Sequence, residues 1–262
     1  MPAPPPDIAA LLAARDTPRV WSLLVSLFGD VAQSPDARLS GAALGRMTEP
    51  FGVKPEALRV SLHRLRKDGW IESTREGRRG FYRLTETGHR ESRRASPRIY
   101  SGTALAEEAF VLLWDPSATP PDALTSAAVT LSATSALSPR PAEDAGVLSL
   151  LLAPSEPVPA WIRAKVCPKA LVEQSRALLT LLEAVAAWRA ATAEHQNASA
   201  SAVARLLVLH EWRRLVLRQP TLPDFVFPKG WQGPACRARA RALLASLPRL
   251  TPKQIEALGS LC

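Results

Sequence analysis

The chain has 262 residues, 47% of them hydrophobic and 22% charged, with a net charge of +9. That supply of apolar side chains supports a sizeable core and excludes disorder along the whole length. Three scattered cysteines, Cys167, Cys236 and Cys262, exclude a disulfide framework or a cysteine zinc site and fit a reducing cytoplasm.

Met1-Pro-Ala-Pro-Pro-Pro-Asp7 lacks the basic and apolar regions of a secretion signal, so residues 1–16 are expected to form a flexible tail. No apolar run approaches the roughly 20 residues of a membrane-spanning helix, and a membrane role is not expected. Thr17-Pro18 offers a cap hydroxyl and a proline at the first helical position, ahead of Val20, Leu24, Leu27, Phe28 and Val31 at helical spacing. Ser40 caps a short second helix through Ala43, Leu44 and Met47, and a turn at Phe51-Gly52 leads to a third helix starting near Pro55.

In this third helix Leu58, Leu62 and Leu65 share one side, while Arg59, Val60, His63, Arg64 and Lys67 point elsewhere. Gly69 ends it. Residues 70–74 and 81–85 then read as strands joined through Arg75-Glu-Gly-Arg-Arg-Gly80, whose glycines permit a tight turn. Residues 53–98 carry 13 basic and 6 acidic groups. Helix, short helix, basic helix and arginine-tipped hairpin outline a winged helix-turn-helix over residues 17–100, with Lys54, Arg59, His63, Arg64, Lys67, Arg75, Arg78 and Arg79 as the DNA-contacting candidates. The plainer reading of the same outline is an interaction module with a solvated basic surface.

His89 to Arg98 is polar and without apolar periodicity, and reads as a linker or basic strap. Beyond residue 100, Ala109–Trp114 and Val147–Leu152 look like buried strands of a small α+β segment, 101–165, separated by a Pro-, Ala- and Ser-rich tract. From 166 to 262 the pattern is helical: Leu171, Ser175, Leu178, Leu182 and Val185 mark one helix, and Ser199 to Arg218 another. The second has an apolar face of Val208, Leu209, Trp212, Leu215 and Val216, opposite His210, Arg213, Arg214 and Arg218. That basic stripe is either a solvated face or a holder of ligand phosphates, with Trp231 in the following proline-rich loop either a core residue or a stacking platform.

Motifs for hydrolase, nucleotide-binding and metalloprotease chemistry are missing, and four dispersed histidines give no metal-ligand spacing, so no catalytic or metal residues and no cofactor are assigned. Asp115, at the end of a strand and followed by proline, is the one carboxylate a nuclease could use, though such a residue ordinarily makes a turn.

Ser61-Leu-His-Arg-Leu-Arg-Lys-Asp-Gly-Trp70, Gly77-Arg-Arg-Gly-Phe-Tyr-Arg-Leu-Thr-Glu-Thr-Gly88, and Leu209-His-Glu-Trp-Arg-Arg-Leu-Val-Leu-Arg-Gln-Pro-Thr-Leu-Pro223 with Gly230-Trp231 resemble the PaaX family of transcriptional regulators. The resemblance implies an α+β, mostly helical chain: a winged helix, a ferredoxin-like (Cas2-like) middle domain and a helical C-terminal effector and dimerisation domain. It also implies a cytoplasmic homodimer that represses a phenylacetate-type catabolic operon and leaves its double-stranded operator on binding phenylacetyl-CoA or a related acyl-CoA. Such a ligand carries phosphates and an adenine, for which His210, Arg213, Arg214, Arg218 and Trp231 are the candidate effector-binding residues; that assignment is read from these residues and is not a site carried over from the family. Thr119 to Ala145 departs from the family pattern. The alternatives are a sequence-tolerant nucleic-acid binder and a regulator answering to a different acyl-CoA.

Overall fold

Two units make up the computed structural model, which describes residues 7–101, 106–117, 128–192 and 197–258. The first combines the chain up to Tyr100 with Thr180–Arg213 and the chain from Arg239 on, and the second combines Ser101–Leu179 with Arg214–Ala238.

Where a flexible tail was expected, Ile8–Ala13 is helix α1, with Ile8 and Leu12 buried. Two apolar residues four apart are enough to dock a single turn onto a core; residues 1–6 lie outside the description. Helix α2, Val20–Val31, buries Leu23, Leu24, Leu27 and Phe28. It starts later than Thr17-Pro18 suggested: Arg19 is its cap residue and gives no side-chain cap bond. The Thr17 hydroxyl instead lies against Gly52.

Strand β1, Leu39–Ser40, runs into α3, Gly41–Thr48, where Ser40 Oγ accepts from Ala43 N at 3.1 Å as a cap. Helix α4, Pro55–Lys67, buries the Leu58, Leu62, Leu65 stripe. Its end is a Schellman closure, with Trp70 N donating to Leu65 O at 2.9 Å and Gly69 N to Arg66 O at 3.1 Å. Strands β2, Ile71–Glu76, and β3, Arg79–Leu84, pair antiparallel from Ile71–Leu84 to Glu76–Arg79, and β1 joins the free edge of β3. The two-residue link, Gly77-Arg78, has φ +60° at Gly77, which matches a type II′ hairpin turn.

The stretch from His89 to Arg98 is no strap: it lies within helix α5, Glu86–Tyr100. Its inner face carries Gly88, Ser92 and Ile99, so small residues do the packing and leave little apolar period in the sequence. Thr85 Oγ1 accepts from Gly88 N at 3.1 Å and donates to Gly69 O at 2.5 Å, joining the start of α5 to the end of α4. A Cβ on Gly88 would lie 2.2 Å from Trp70 O, so only glycine fits this approach.

The first unit also takes in the C-terminal part of α7, Lys169–Ala191, most of α8, Ala198–Val216, the last two turns of α9, Gly233–Ser246, and α10, Pro252–Ala257. Every residue from Ser201 to Trp212 is buried, so this part of α8 is a central helix rather than a two-faced surface one.

In the second unit β4, Ala109–Trp114, lies between β6, Ser135–Ser138, and β7, Val147–Leu152, with β5, Val129–Ser132, outside β6. All pairings are antiparallel. Leu112, Trp114, Ala136 and Val147 form its small core. The strands expected to be buried are only partly so: Leu113 on β4 and Leu148, Leu150 and Leu151 on the edge strand β7 are exposed. Residues 139–146 hold no helix, while part of the Thr119 to Ala145 tract, residues 118–127, lies outside the description. Helix α6, Ala160–Val166, is anchored by Arg163, whose guanidinium donates to Phe225 O at 2.8 Å and to Phe227 O.

Candidate nucleic-acid interface

Because α4 turns its leucines inward, its opposite side is left to solvent. Arg59, Val60, His63, Arg64 and Lys67 are all exposed there, with Lys54 exposed just before the first turn. Val60 is 69% exposed, a large apolar side chain among cations. Sequence reasoning placed it off the buried stripe without assigning it to the site; its signal is an aliphatic residue at a position where solvation alone would favour a polar one.

Two of the cations are braced. The Arg64 guanidinium sits 5.7 Å from the ring of Trp21 and 3.5 Å from the Asp68 carboxylate. That fixes its base while leaving it solvent-exposed. Arg75, Arg78 and Arg79 are likewise exposed around the hairpin turn. Arg79, however, donates to Glu256 Oε2 at 3.0 Å and stands over Phe81, so its charge is partly spent within the fold.

Glu256 carries no local sequence signal that would single it out. Its carboxylate also accepts from Ser40 N at 2.5 Å and Ser40 Oγ at 2.8 Å, and Arg46 donates to the Glu256 carbonyl at 2.9 Å. Helix α10, held by a Thr251–Gln254 capping box, thereby pins the α3 entrance and the hairpin edge from the far end of the chain.

The five candidate effector-binding residues differ in burial and surroundings. His210 is 1% exposed, its Nδ1 3.1 Å from Ser26 Oγ. Arg213 is half-buried, and burial lowers its pKa. Arg214 is half-buried and Arg218 exposed, with Arg218 3.4 Å from Gln174 Oε1. Trp231 is buried and stacked on Phe227 with ring centroids 5.0 Å apart.

Reactive chemistry finds little support. Asp115 is an exposed turn residue accepting from Ser117 N and Oγ at 2.7 and 2.6 Å, and these bonds lower its pKa. Burial pushes the Cys167 thiol up to about 11, away from the thiolate form. Among the described residues no cluster of His, Cys, Asp or Glu is arranged to hold a metal ion, and no helix is long and apolar enough to cross a membrane.

Comparison with known proteins gives the family of the chain. A family model described as "PaaX-like protein" matches residues 19–88, and one described as "PaaX-like protein C-terminal domain" matches residues 169–255, together more than half of the chain. The chain belongs to the PaaX-like family. That family is one of transcriptional repressors, not of enzymes. The transcriptional repressor PaaX of Escherichia coli is 28% identical over 247 aligned residues, covering 82% of this chain and 76% of that protein. An uncharacterised protein from Mycobacterium tuberculosis is similar in structure with a TM-score of 0.48 and 19% identity, covering 90% of this chain and 96% of the other. The PaaX-like match over 19–88 contains all eight candidate DNA-contacting residues of the helix and hairpin, and the C-terminal match contains the five candidate effector-binding residues, which lie between His210 and Trp231. Residues 89–168 fall outside both matches.

Proposed function

We propose that the protein is a DNA-binding repressor of a phenylacetate-type catabolic operon, released from its operator by an aryl-acetyl-CoA such as phenylacetyl-CoA. The observation that carries the DNA-binding part is the undivided exposed face of α4, where Arg59, Val60, His63, Arg64 and Lys67 stand together beside an arginine-tipped hairpin. On this reading α2, α3, α4 and the β1-β3-β2 sheet form a winged helix-turn-helix. Helix α4 enters the major groove, where guanidinium groups read guanine edges and the Val60 methyls meet a thymine methyl. Arg75 and Arg78 on the hairpin take backbone phosphates or the minor groove.

Operator binding by a homodimer follows from the same reading. The exposed leucines of β7 and β4 support it: Leu113 pairs with Leu148, and Leu150 lies beside Val111, giving an edge strand with an apolar surface suited to a second copy. This favours an interface in the segment 101–165 rather than in 166–262. Numbered within that segment, the strand order 2-3-1-4 supports a ferredoxin-like arrangement lacking a helix in the second crossover. The protein then works in the cytoplasm, where its operon and effector are.

Effector release requires that the thioester bind a geometry of the dimer that misaligns the two α4 helices with successive major grooves. Fluorescence anisotropy with labelled DNA from upstream of the protein's own gene, against scrambled DNA of equal length at physiological salt, tests the proposal. Selective binding reversed by phenylacetyl-CoA but not by coenzyme A is expected. Equal affinity for both DNAs would replace the repressor by a sequence-tolerant binder, and selective binding indifferent to phenylacetyl-CoA would remove that effector.

A further inference from the structure

Three hydrogen-bond donors from two separate elements of the first unit converge on one carboxylate. At the entrance of α3, Ser40 N donates to Glu256 Oε1 at 2.5 Å and Ser40 Oγ donates to Oε2 at 2.8 Å. From the hairpin, Arg79 Nη2 donates to the same Oε2 at 3.0 Å. Ser40 is the cap residue of α3, so the carboxylate sits where the helix end favours a negative charge. The donors belong to elements proposed to meet DNA, whereas the anion arrives on α10, 216 residues after Ser40.

The carboxylate can leave without taking α10 with it. Ile255, 1% exposed, anchors that helix in the core, the Thr251–Gln254 capping box closes its start, and Arg46 donates to the carbonyls of Ile255 and Glu256 at 3.4 and 2.9 Å. The side chains of Arg79 and Glu256 are 62% and 22% exposed, so solvent screens their ion pair and keeps it weak. A DNA phosphodiester offers what the carboxylate offers, one negative charge shared by two oxygens, and a guanidinium accepts either. Arg75 and Arg78, exposed on the same hairpin, add cations near Arg79.

We propose that the α3 entrance and Arg79 form a phosphate site that Glu256 fills in the free protein and that a backbone phosphate takes when DNA binds. Glu256 is then an internal competitor whose carboxylate every duplex has to displace. Because the competition is with phosphate, it lowers affinity for operator and unrelated DNA alike and leaves preference between sequences to α4. The proposal rests on the DNA-binding reading of α4 and the hairpin, and adds to it a site and a regulating residue from the far end of the chain.

Anisotropy over a salt series, with DNA from upstream of the protein's own gene and with scrambled DNA, compares the wild-type chain with Glu256→Gln, Arg79→Gln and the double variant. Glu256→Gln is expected to tighten binding of both DNAs by the same factor, about two- to fivefold at low salt, the range of an exposed ion pair. In the Arg79→Gln background the same change is expected to give little tightening. Among duplexes in which one phosphate at a time is replaced by a neutral methylphosphonate, one position is expected to cancel the gain of Glu256→Gln. Thermal melting reports whether each variant is folded, and Glu256→Ala takes the place of Glu256→Gln should the latter not fold.

Unchanged or weaker DNA binding by the folded Glu256 variant, an equal gain with and without Arg79, or no sensitive phosphate position would each overturn the proposal and leave the DNA-binding reading standing. Competition by inorganic phosphate at matched ionic strength, with no sensitive backbone position, would make this a site for free anions instead. Absence of binding to any duplex by both the wild-type chain and Glu256→Gln removes the DNA-binding reading, and this proposal with it.

Discussion

Asp30 and Arg205, 175 residues apart, meet inside the first unit as a side-on pair, with Arg205 Nε 2.7 Å from Oδ2 and Nη2 3.0 Å from Oδ1. Their side chains are 4% and 8% exposed. Two buried charges would be costly alone, so the remaining bonds are taken up as well. Arg205 Nη1 donates to Leu244 O and Leu247 O at 2.7 and 2.8 Å, Tyr100 donates to Asp30, and Arg249 Nε donates to Asp30 O at 2.5 Å. The pair therefore links α2, at the base of the proposed DNA-binding region, to α5, α8 and the chain after α9.

Removing one partner leaves the other charge buried and uncompensated. Arg205→Met is expected to destabilise the first unit by about 3–5 kcal/mol. The double variant Asp30→Leu with Arg205→Met should recover much of that loss. Urea unfolding of the three chains measures both effects, and a double variant as unstable as the single one would show that the pair gives more than charge compensation.

Tyr100 carries a pH signature of the same cluster. Burial, followed by the neighbouring Asp30 carboxylate, raises its pKa above the usual tyrosine value, so the folded chain holds the phenol protonated. The associated stability is fully present below about pH 10, the ordinary tyrosine pKa, and is lost as pH rises beyond it toward the raised folded value. The chain has two tyrosines, Tyr82 and Tyr100. Absorbance titration should therefore show one ionisation delayed to higher pH, and Tyr100→Phe should delete the delayed step.

At Gly88 the constraint is steric. A methyl 2.2 Å from Trp70 O forces α5 away from the end of α4, and Gly88→Ala is expected to cost about 2–3 kcal/mol, as overpacking does. Thermal melting checks the stability, and anisotropy at saturating DNA checks that the hairpin and α4 no longer seat together. An unchanged melting temperature would mean that the backbone yields freely there.

Base-reading and phosphate-holding cations should separate by salt and sequence. Arg59→Ala is expected to lower operator affinity by about 1–3 kcal/mol and to relax preference at one base step. Arg78→Ala should weaken all DNAs alike and make the salt slope shallower by about one. Anisotropy over a salt series with operator variants distinguishes them; identical behaviour would abolish this division of roles.

Glu256 competes with DNA for Arg79. Glu256→Gln removes the carboxylate charge while keeping an acceptor near Ser40, so Arg79 becomes free for phosphate. Affinity for unrelated DNA is expected to rise at low salt, with a salt slope steeper by about one. A fall in affinity would mean that Glu256 acts chiefly by bracing the hairpin.

The sequence alone determined the local elements whose own side chains declare them. The Leu58, Leu62, Leu65 stripe made α4 and its exposed cationic face legible, and β-rich runs around Gly77 made the hairpin legible, because helical period, strand pattern and turn preference act within a few residues. Tertiary structure decided the rest. Helix α5 packs through glycine and serine, so it left no apolar period to read. His210 and Arg205 look like surface residues on α8 until Ser26 and Asp30 arrive from the other end of the chain to satisfy them. Polar side chains carry no local mark of burial, since their partners are chosen by where the chain returns in space rather than by sequence neighbours.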